Sequence, residues 1–475
     1  MPIKPAAGKT FEYTVPVVVV GAGAAGMTAA LAARDGGAEV LLLERDHTPR
    51  GSTAMSQGNI AAAGTKSQTA AGVDDSGDRF ADDIIKLTRG ETDAELARVF
   101  ANASGRTVDW LTETHNIPLA VDMDWGAKLG HSRSRIHATP RKTGTELVSC
   151  LLNACEAASV DLITDAHVVD VYADDDGTVR GVRFERPDGS DEQVGCGALI
   201  LTTCGFGANR EMIREFIPDM ADAIYHGHEG NEGDGIQWGM DLGAATADMT
   251  AFQGLGALAE PARVLIHYIV ILDGGIVVNI NGERFTDEST DISGMGRKVT
   301  AQPEHYVWFI FDQKRQDFVM KYEEHKEAME VGAVRKAETT EELAQITKMP
   351  LETLEKTLAD VVAMQNGTGK DNHGRDFASE TPLQGPPWYV VKSVGALFHT
   401  QGGLVIDGNA QVQRTDGTPL PNLFAAGGTA RSTSGPSDWG YIPAAGLFTA
   451  TTQGRLAGEA AARLTTAAAQ SAAAE

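Results

Sequence analysis

Residues 17–20 are four consecutive valines, an apolar run suited to a strand buried on both faces. They end directly in Gly21-Ala-Gly-Ala-Ala-Gly26, and helix formers follow through residue 33. A second apolar run at 39–43 completes a βαβ pattern. Residues 80–116 repeat apolar side chains at helical spacing (Phe80, Ile84, Leu87, then Leu96, Phe100, Leu111), and 143–158 do so again with Leu147, Leu151 and Leu152. Short strands are predicted at 162–164 and 168–171, with a hairpin turn at 174–177, a return strand at 179–185 and a buried strand at 198–202. Residues 1–13 read as a polar lead and 46–66 as a loop rich in Gly, Ser and Thr. From about residue 249 the pattern changes: strands such as 276–280, around Asn281-Gly282, alternate with charged helices at 313–328 and 340–363, and 366–376 is a polar loop. Sheet patterning returns at 403–406 and 423–427, and a last helix, 445–464, fades into an Ala/Gln/Ser tail. The fold class implied is α/β: a nucleotide-binding domain made of residues 1–248 and 396–475, interrupted by an inserted domain at 249–395. No internal repeat is visible.

The glycines give the first unit its chemistry. Gly21 permits the tight turn, Gly23 removes the side chain that would block a pyrophosphate, and Gly26 lets the helix pack on the strand. The helix N-terminus then offers N–H groups to phosphate oxygens. Glu44 closes the second strand about 20 residues on, where a carboxylate can hold ribose hydroxyls. A glycine fingerprint alone is weak evidence; strand before, helix after and acid downstream make it a dinucleotide site.

Size and charge narrow the classes further. A chain of 475 residues exceeds one comfortable core, which agrees with two domains. A formal net charge of −25 argues against nucleic acid and anionic membranes as partners. The four cysteines, Cys150, Cys155, Cys196 and Cys204, are too few for a disulfide framework and read as free thiols of a reducing cytoplasm. Residues 1–13 carry no export signal, and no apolar window reaches the ~20 residues of a membrane span. His131 and His137 lack acidic or Cys partners at ligand spacing, so no metal is expected.

In order along nearly the whole chain, the motifs resemble those of soluble fumarate reductases, succinate dehydrogenase flavoprotein subunits and their 3-ketosteroid dehydrogenase relatives. They are Gly21-Ala-Gly-Ala-Ala-Gly26, Glu44, Gly51-Ser-Thr-Ala-Met-Ser-Gln-Gly58, Thr202-Thr-Cys-Gly-Phe-Gly207, Gly233-Asp-Gly235, Asn279-Ile-Asn-Gly-Glu-Arg-Phe285, His399-Thr-Gln-Gly-Gly403, Ala425-Ala-Gly427 and Gly454-Arg455. The resemblance implies FAD in a Rossmann-type domain, a discontinuous doubly wound parallel sheet, with an inserted α+β capping domain over the flavin. Carried onto this chain, the cofactor residues are Gly21, Gly23, Ala25, Gly26, Glu44, Arg45, Ser52, Thr53, Gly58, Val168, Thr203, Gly205, Gly428, Gly446 and Leu447. Gly205 and Gly428 are read as close-approach positions, and the N-terminus of the last helix, at Gly446 and Leu447, as facing flavin N1/O2. Ser52 stands where the membrane relatives attach flavin through histidine, so the expected FAD is non-covalent.

Departures from the family pattern bear on the reaction. The arginine that protonates substrate in fumarate reductases lies eight positions past the Arg of Arg-Phe-x-x-Glu; counted from Arg284, that place is Ile292. The carboxylate-clamping arginine before the last helix becomes Tyr441, a histidine expected around 252–255 is missing, and His399 remains. A dicarboxylate needs charged donors in a dry site, so fumarate reduction is disfavoured. Trp439-Gly-Tyr-Ile-Pro443 is instead similar to the ketosteroid Δ4-dehydrogenase branch, where a tyrosine removes a proton next to a ketone.

The implied reaction is desaturation of a cyclic ketone to the enone, with Tyr441 and His399 catalytic. Candidate substrates are a 3-oxosteroid or an oxocyclohexane such as 4-oxocyclohexanecarboxylate. Oxygen, a quinone or an artificial acceptor would take the electrons; the oligomeric state stays open. A phenol with the ordinary pKa of about 10 has to be lowered, or to work through a relay, to act as base. The alternative roles are an aromatic capping the flavin edge for Tyr441 and a loop-fixing histidine for His399. Arg431, Arg297 and His267 would hold a substrate carboxylate, and Ser437 and Ser434 a ketone oxygen, against surface, structural or turn roles for each. The same chemistry in reverse, reduction of an activated alkene, is the second function, and a flavin-binding protein without turnover the third. Neither a haem-attachment Cys-x-x-Cys-His nor a second dinucleotide fingerprint appears, which favours desaturation.

Overall fold

The computed structural model describes residues 3–377 and 380–474. It divides into two compact units: Met1–Pro218 with Gly227–Phe252 and His399–Glu475, and Asp219–His226 with Gln253–Phe398.

A nine-stranded sheet carries the first unit. The valine strand Thr14–Val20 lies inside it, parallel to Val40–Leu43 on one side and to Asp191–Leu201 on the other. Val17, Val18 and Val19 are fully buried, because neighbours cover both faces of a parallel strand. Asp161–Ile163 extends the parallel core beyond Val40–Leu43. Pro419–Ala425, from the far end of the sequence, pairs in parallel with the end of Asp191–Leu201. The chain therefore returns to finish the sheet it began, as the α/β reading requires. The hairpin His167–Ala173 and Val179–Glu185 adds antiparallel strands. Ile3–Pro5, within the stretch read as a polar lead, joins that hairpin in parallel. Three residues are too short to show alternation, so the pattern missed this strand.

Helix Ala24–Asp35 packs closely on the C-terminal helix Ala445–Ala474. A Cβ at Gly454 would lie 2.4 Å from Ala25 O, and one at Gly458 only 2.1 Å from Ala29 O. Glycine and alanine on the facing sides thus set the interhelical approach. This last helix runs past residue 464, through the tail read as fading, to Ala474; alanine is the best helix former, which the reading of a frayed tail underweighted.

Two other expectations change in detail. Residues 46–66 are not all loop: Gly51–Ala54 forms a helical turn, and Ile60–Ala61 a short strand. Each long charged helix is split, 313–328 into Gln313–Val319 and Glu323–Glu330, and 340–363 into Thr340–Thr347 and Leu351–Gln365. The second break has a clear cause: Lys348 is left-handed at φ 60°, and Pro350 cannot donate to a continuing helix.

The second unit is built on a six-stranded sheet around Trp388–Thr400, which pairs antiparallel with Tyr306–Asp312 and Val334–Ala337. Phe309, Phe311, Tyr389 and Val391 enter one apolar cluster, while Trp308, Ile310, Trp388 and Val390 enter another. That alternation is the period of two expected for central strands covered on both faces. Arg284 and Glu288 of the Arg-Phe-x-x-Glu motif are ion-paired at 2.7 Å, and Arg375 bridges Glu288 at 2.9 Å and Glu380 at 2.7 Å. Ile292 packs as an aliphatic residue against the first of the two clusters.

Burial also holds several histidines neutral. His131, His137 and His325 are pushed down to about 4 from the usual 6.5 by loss of solvent. Between those values the unfolded chain takes up protons that the folded chain refuses, so stability is full above pH 6.5 and falls as pH drops toward 4. Urea midpoints are expected to fall from pH 7 to pH 5, by less in His325→Gln; identical midpoints at both pH values would contradict this.

Candidate active site

The turn after the valine strand is crowded behind and open in front. Gly21 sits at φ +103°, and a Cβ there would lie 2.5 Å from Thr202 O; a Cβ at Gly26 would lie 1.8 Å from Gly21 O. At Gly23 the nearest atom is Thr53 Oγ1, at 3.6 Å. Helix Ala24–Asp35 starts here with no side-chain cap and no acidic residue in its first turn, which includes Ala25. Ala24 N–H donates to Thr53 Oγ1 at 3.0 Å. Thr53 takes the first N–H, and the helix N-terminus that remains, with no side chain at its glycine N-cap, fits pyrophosphate oxygens.

Glu44 shapes the same edge. Its two carboxylate oxygens accept from Ala22 N–H at 2.7 Å and Asp46 N–H at 2.9 Å, ordering the loop while leaving lone pairs for ribose hydroxyls. Arg45 pairs with Asp46 and Glu232, each at 3.6 Å, and both line a cleft of about 640 Å³ with Met55 and His228. Ser52 and Thr53 sit on the helical turn Gly51–Ala54, not on an open loop as expected. Ser52 Oγ accepts from Asn231 Nδ2 at 2.8 Å and lies 3.6 Å from Cys204 Sγ. Gly58, at φ +70°, is pressed against Thr143 O, where a Cβ would approach to 2.7 Å. Val168 stands at a bulge in the hairpin, where the register slips between Val168 and Asp170. Thr203 Oγ1 accepts from Gly235 N–H at 3.1 Å. A Cβ on Gly205 would meet Thr400 Oγ1 at 2.0 Å, and one on Gly428 would meet Gly205 N at 2.8 Å. The chain's own packing thus requires both glycines.

A second group of residues converges on the start of helix Ala445–Ala474. His399 is the second-last residue of the Trp388–Thr400 strand, and Tyr441 follows the 3-10 turn Asp438–Gly440. Their rings meet edge-on, centroids 5.8 Å apart at 73°. A Cβ at Gly446 would lie 3.3 Å from His399 Nε2 and 3.7 Å from Tyr441 Oη, so glycine leaves room for both. Gly446 and Leu447 are half-buried. Loss of solvent pushes Tyr441 up to about 12, opposed by the Gly446 backbone N–H, and pushes His399 down to about 4. At neutral pH the pair is therefore a neutral phenol beside a neutral imidazole. The phenol is raised, not lowered, so a base role needs proton removal from a group that burial keeps protonated.

Arg431 contacts Asp248 at 2.8 Å and Asp93 at 3.3 Å, so two carboxylates already balance its charge. Arg297, in the second unit, is half-buried and lies 3.8 Å from Asp219. His267 is buried in the second unit, stacked 3.8 Å from the Tyr322 ring. Ser437 opens the 3-10 turn before Tyr441 without capping it through its side chain. Ser434 Oγ donates to Gln401 Oε1 at 3.0 Å.

Sequence reasoning missed Gln401, whose Nε2 lies 2.7 Å from His399 Nδ1. Nor did it foresee the contact of His131, on a loop that resemblance places beside the cleft, whose Nε2 sits 3.0 Å from Pro443 O, just past Tyr441. Such polar pairings leave no periodic trace; the place of Gln401 two residues after His399 was the only cue. Among the described residues, no three His, Cys, Asp or Glu side chains form a metal-sized cluster, and no helix is long and apolar enough to cross a membrane.

A parallel sheet whose first turn presents a helix N-terminus behind a glycine, with an acid at the end of the next strand, defines a dinucleotide-binding protein. The family model described as FAD binding domain matches residues 16–440, and the chain belongs to that family. The chain is 31% identical over 462 residues to a probable fumarate reductase of Shewanella frigidimarina (strain NCIMB 400), covering 95% of this chain and 75% of that one. Among solved structures it is similar to the open conformation of a flavocytochrome c3 fumarate reductase, with TM-score 0.80 and 29% identity over 97% of this chain and 80% of that one. It is also similar to the 3-ketosteroid-Δ4-(5α)-dehydrogenase of Rhodococcus jostii RHA1 in complex with 4-androstene-3,17-dione, with TM-score 0.76 and 25% identity over 97% of this chain and 100% of that one. The protein is an FAD-dependent oxidoreductase, and the glycine turn, Glu44 and the first turn of helix Ala445–Ala474 fit FAD.

Proposed function

We propose that this protein desaturates a cyclic ketone next to its carbonyl, with Tyr441 receiving the α proton and His399 donating a hydrogen bond to the carbonyl oxygen. The reading rests on one observation: a tyrosine and a neutral histidine converge on Gly446, at the position where the fumarate-reducing relatives are read to carry an arginine. FAD, held without a covalent bond because Ser52 replaces the attachment histidine, supplies the acceptor for the β hydride. A neutral imidazole donor suits an uncharged ketone oxygen better than a dicarboxylate. Ile292, aliphatic and packed in its apolar cluster, has no proton to deliver. Full-length likeness to a 3-ketosteroid dehydrogenase supports a 3-oxosteroid or a smaller oxocyclohexane, such as 4-oxocyclohexanecarboxylate, as substrate. Oxygen, a quinone or an artificial acceptor would then collect the electrons.

The base role carries a pH signature. With Tyr441 near 12, the deprotonated fraction grows about tenfold per pH unit below that value. Burial opposes the phenolate, whereas Gly446 N–H and the positive end of its helix favour it. Desaturation turnover should therefore climb through pH 7–10, without a histidine limb near 6.5, since His399 stays neutral above about 4. Acceptor-coupled turnover with cyclohexanones and 3-oxosteroids, products identified by mass, tests both points. No enone from any ketone, or a flat profile across that range, would overturn the reading.

A second reading draws on the same phenol. A tyrosine that rests protonated is ready to donate, so reduction of an activated alkene is the reverse use of the site. Reoxidation of the reduced protein by an enone, with no response to saturated ketones, would select it.

A further inference from the structure

The proposal concerns Gln401 and rests on the reading of His399 as a substrate donor. Gln401 is 3% exposed and Ser434 is 2% exposed. The Gln401 backbone is pinned from both sides, its N–H donating to Ala251 O and its C=O accepting from Ser432 N–H, each at 2.8 Å. Its side chain is pinned as well: Ser434 Oγ donates to Oε1 at 3.0 Å, and Nε2 lies 2.7 Å from His399 Nδ1. An amide nitrogen carries hydrogens and no lone pair, so it donates, and Nδ1 accepts. The Thr400 carbonyl, 3.4 Å from the same Nδ1, is the weaker contact. With Nδ1 accepting, the neutral ring carries its hydrogen on Nε2. That nitrogen is the one turned to the start of helix Ala445–Ala474, 3.3 Å from the place a Gly446 Cβ would take. Tyr441 is the titratable side chain in ring contact with His399.

We infer that Gln401, held by Ser434, is a positioning residue that fixes His399 as an Nε2–H donor aimed at a neutral carbonyl oxygen. The chain Ser434→Gln401→His399→carbonyl points every hydrogen the same way, so no member has to change protonation while the substrate is bound. Specificity follows from the same arrangement. A ketone oxygen accepts from a neutral Nε2–H; a histidine that had to balance a second carboxylate would need an acidic partner on Nδ1 instead of an amide.

Nitrogen-15 NMR of the histidine-labelled, FAD-loaded protein reads the tautomer without turnover, with His399→Asn to assign the signal. The expected spectrum shows His399 protonated at Nε2 alone; protonation at Nδ1 overturns the proposal. Gln401→Met, which keeps the volume and loses the amide, should mix the two tautomers. It should lower kcat for a cyclic ketone about 10–100-fold, with KM changed less than about threefold. Gln401→Glu should place a new ionisation in the kcat profile between about pH 5 and 8, because a carboxylate on Nδ1 raises the imidazole. A Gln401→Met protein with the original spectrum and kcat would sink the idea, and Ser434→Ala gives a milder version if that variant does not fold. Full activity in Tyr441→Phe would overturn the reading of the site, whereas the tautomer in the unaltered protein would still decide the role of Gln401.

Discussion

Replacing Tyr441 by Phe is expected to lower kcat for ketone desaturation about 10²–10⁴-fold, the usual worth of a positioned proton-transfer group. The substitution removes one oxygen, which faces Gly446 N–H at the start of helix Ala445–Ala474, and leaves the ring against His399. FAD content and thermal stability should stay near those of the unaltered protein, since the ring still fills its half-buried place. Stopped-flow single turnover separates this loss from slow product release. A variant within about threefold of the original rate would leave Tyr441 as an aromatic that only caps the site.

The second large effect belongs to the cofactor turn. Gly26→Ala should yield colourless protein. Its methyl would sit 1.8 Å from Gly21 O and 2.7 Å from Thr202 Oγ1, so strand end and helix start must part. Overpacking of this kind costs about 1–3 kcal/mol or more of stability, and the displaced helix N-terminus no longer meets the pyrophosphate. Gly23→Ala is the informative contrast. Its methyl would meet only Thr53 Oγ1 at 3.6 Å, so the apoprotein keeps its stability while FAD affinity falls. Thermal melts with and without added FAD distinguish the two variants, and equal behaviour would contradict the crowded-behind, open-in-front description. In the unaltered protein, acid precipitation should leave all the flavin in the supernatant, as non-covalent FAD requires.

Those features were legible to different degrees. The valine strand, the glycine turn and the acid after the next strand could be read directly, because burial and phosphate binding impose residue types at fixed spacing. The split of 340–363 was half-written in the sequence: Pro350 marks it, but the left-handed Lys348 does not announce itself. Ile3–Pro5 was hidden because a three-residue strand owes its place to the hairpin it joins. At the proposed reacting centre, Tyr441 and His399 could be named only by resemblance, and their meeting at Gly446 is a tertiary fact. Arg431 shows the limit most clearly: an arginine near a glycine-rich loop invites a substrate role, but Asp93 and Asp248, far apart in sequence, hold its charge. The direction in which burial moves the Tyr441 phenol was likewise invisible to residue type.

The most direct measurement is anaerobic mixing of the purified FAD-loaded protein with saturated cyclic ketones, following the visible absorbance of the flavin. The account predicts rapid bleaching by at least one 3-oxosteroid or oxocyclohexane, formation of the matching enone, and loss of that bleaching in Tyr441→Phe. Flavin that stays oxidised with every ketone, while the dithionite-reduced protein is reoxidised by an enone or by fumarate, would contradict desaturation and make the protein a reductase.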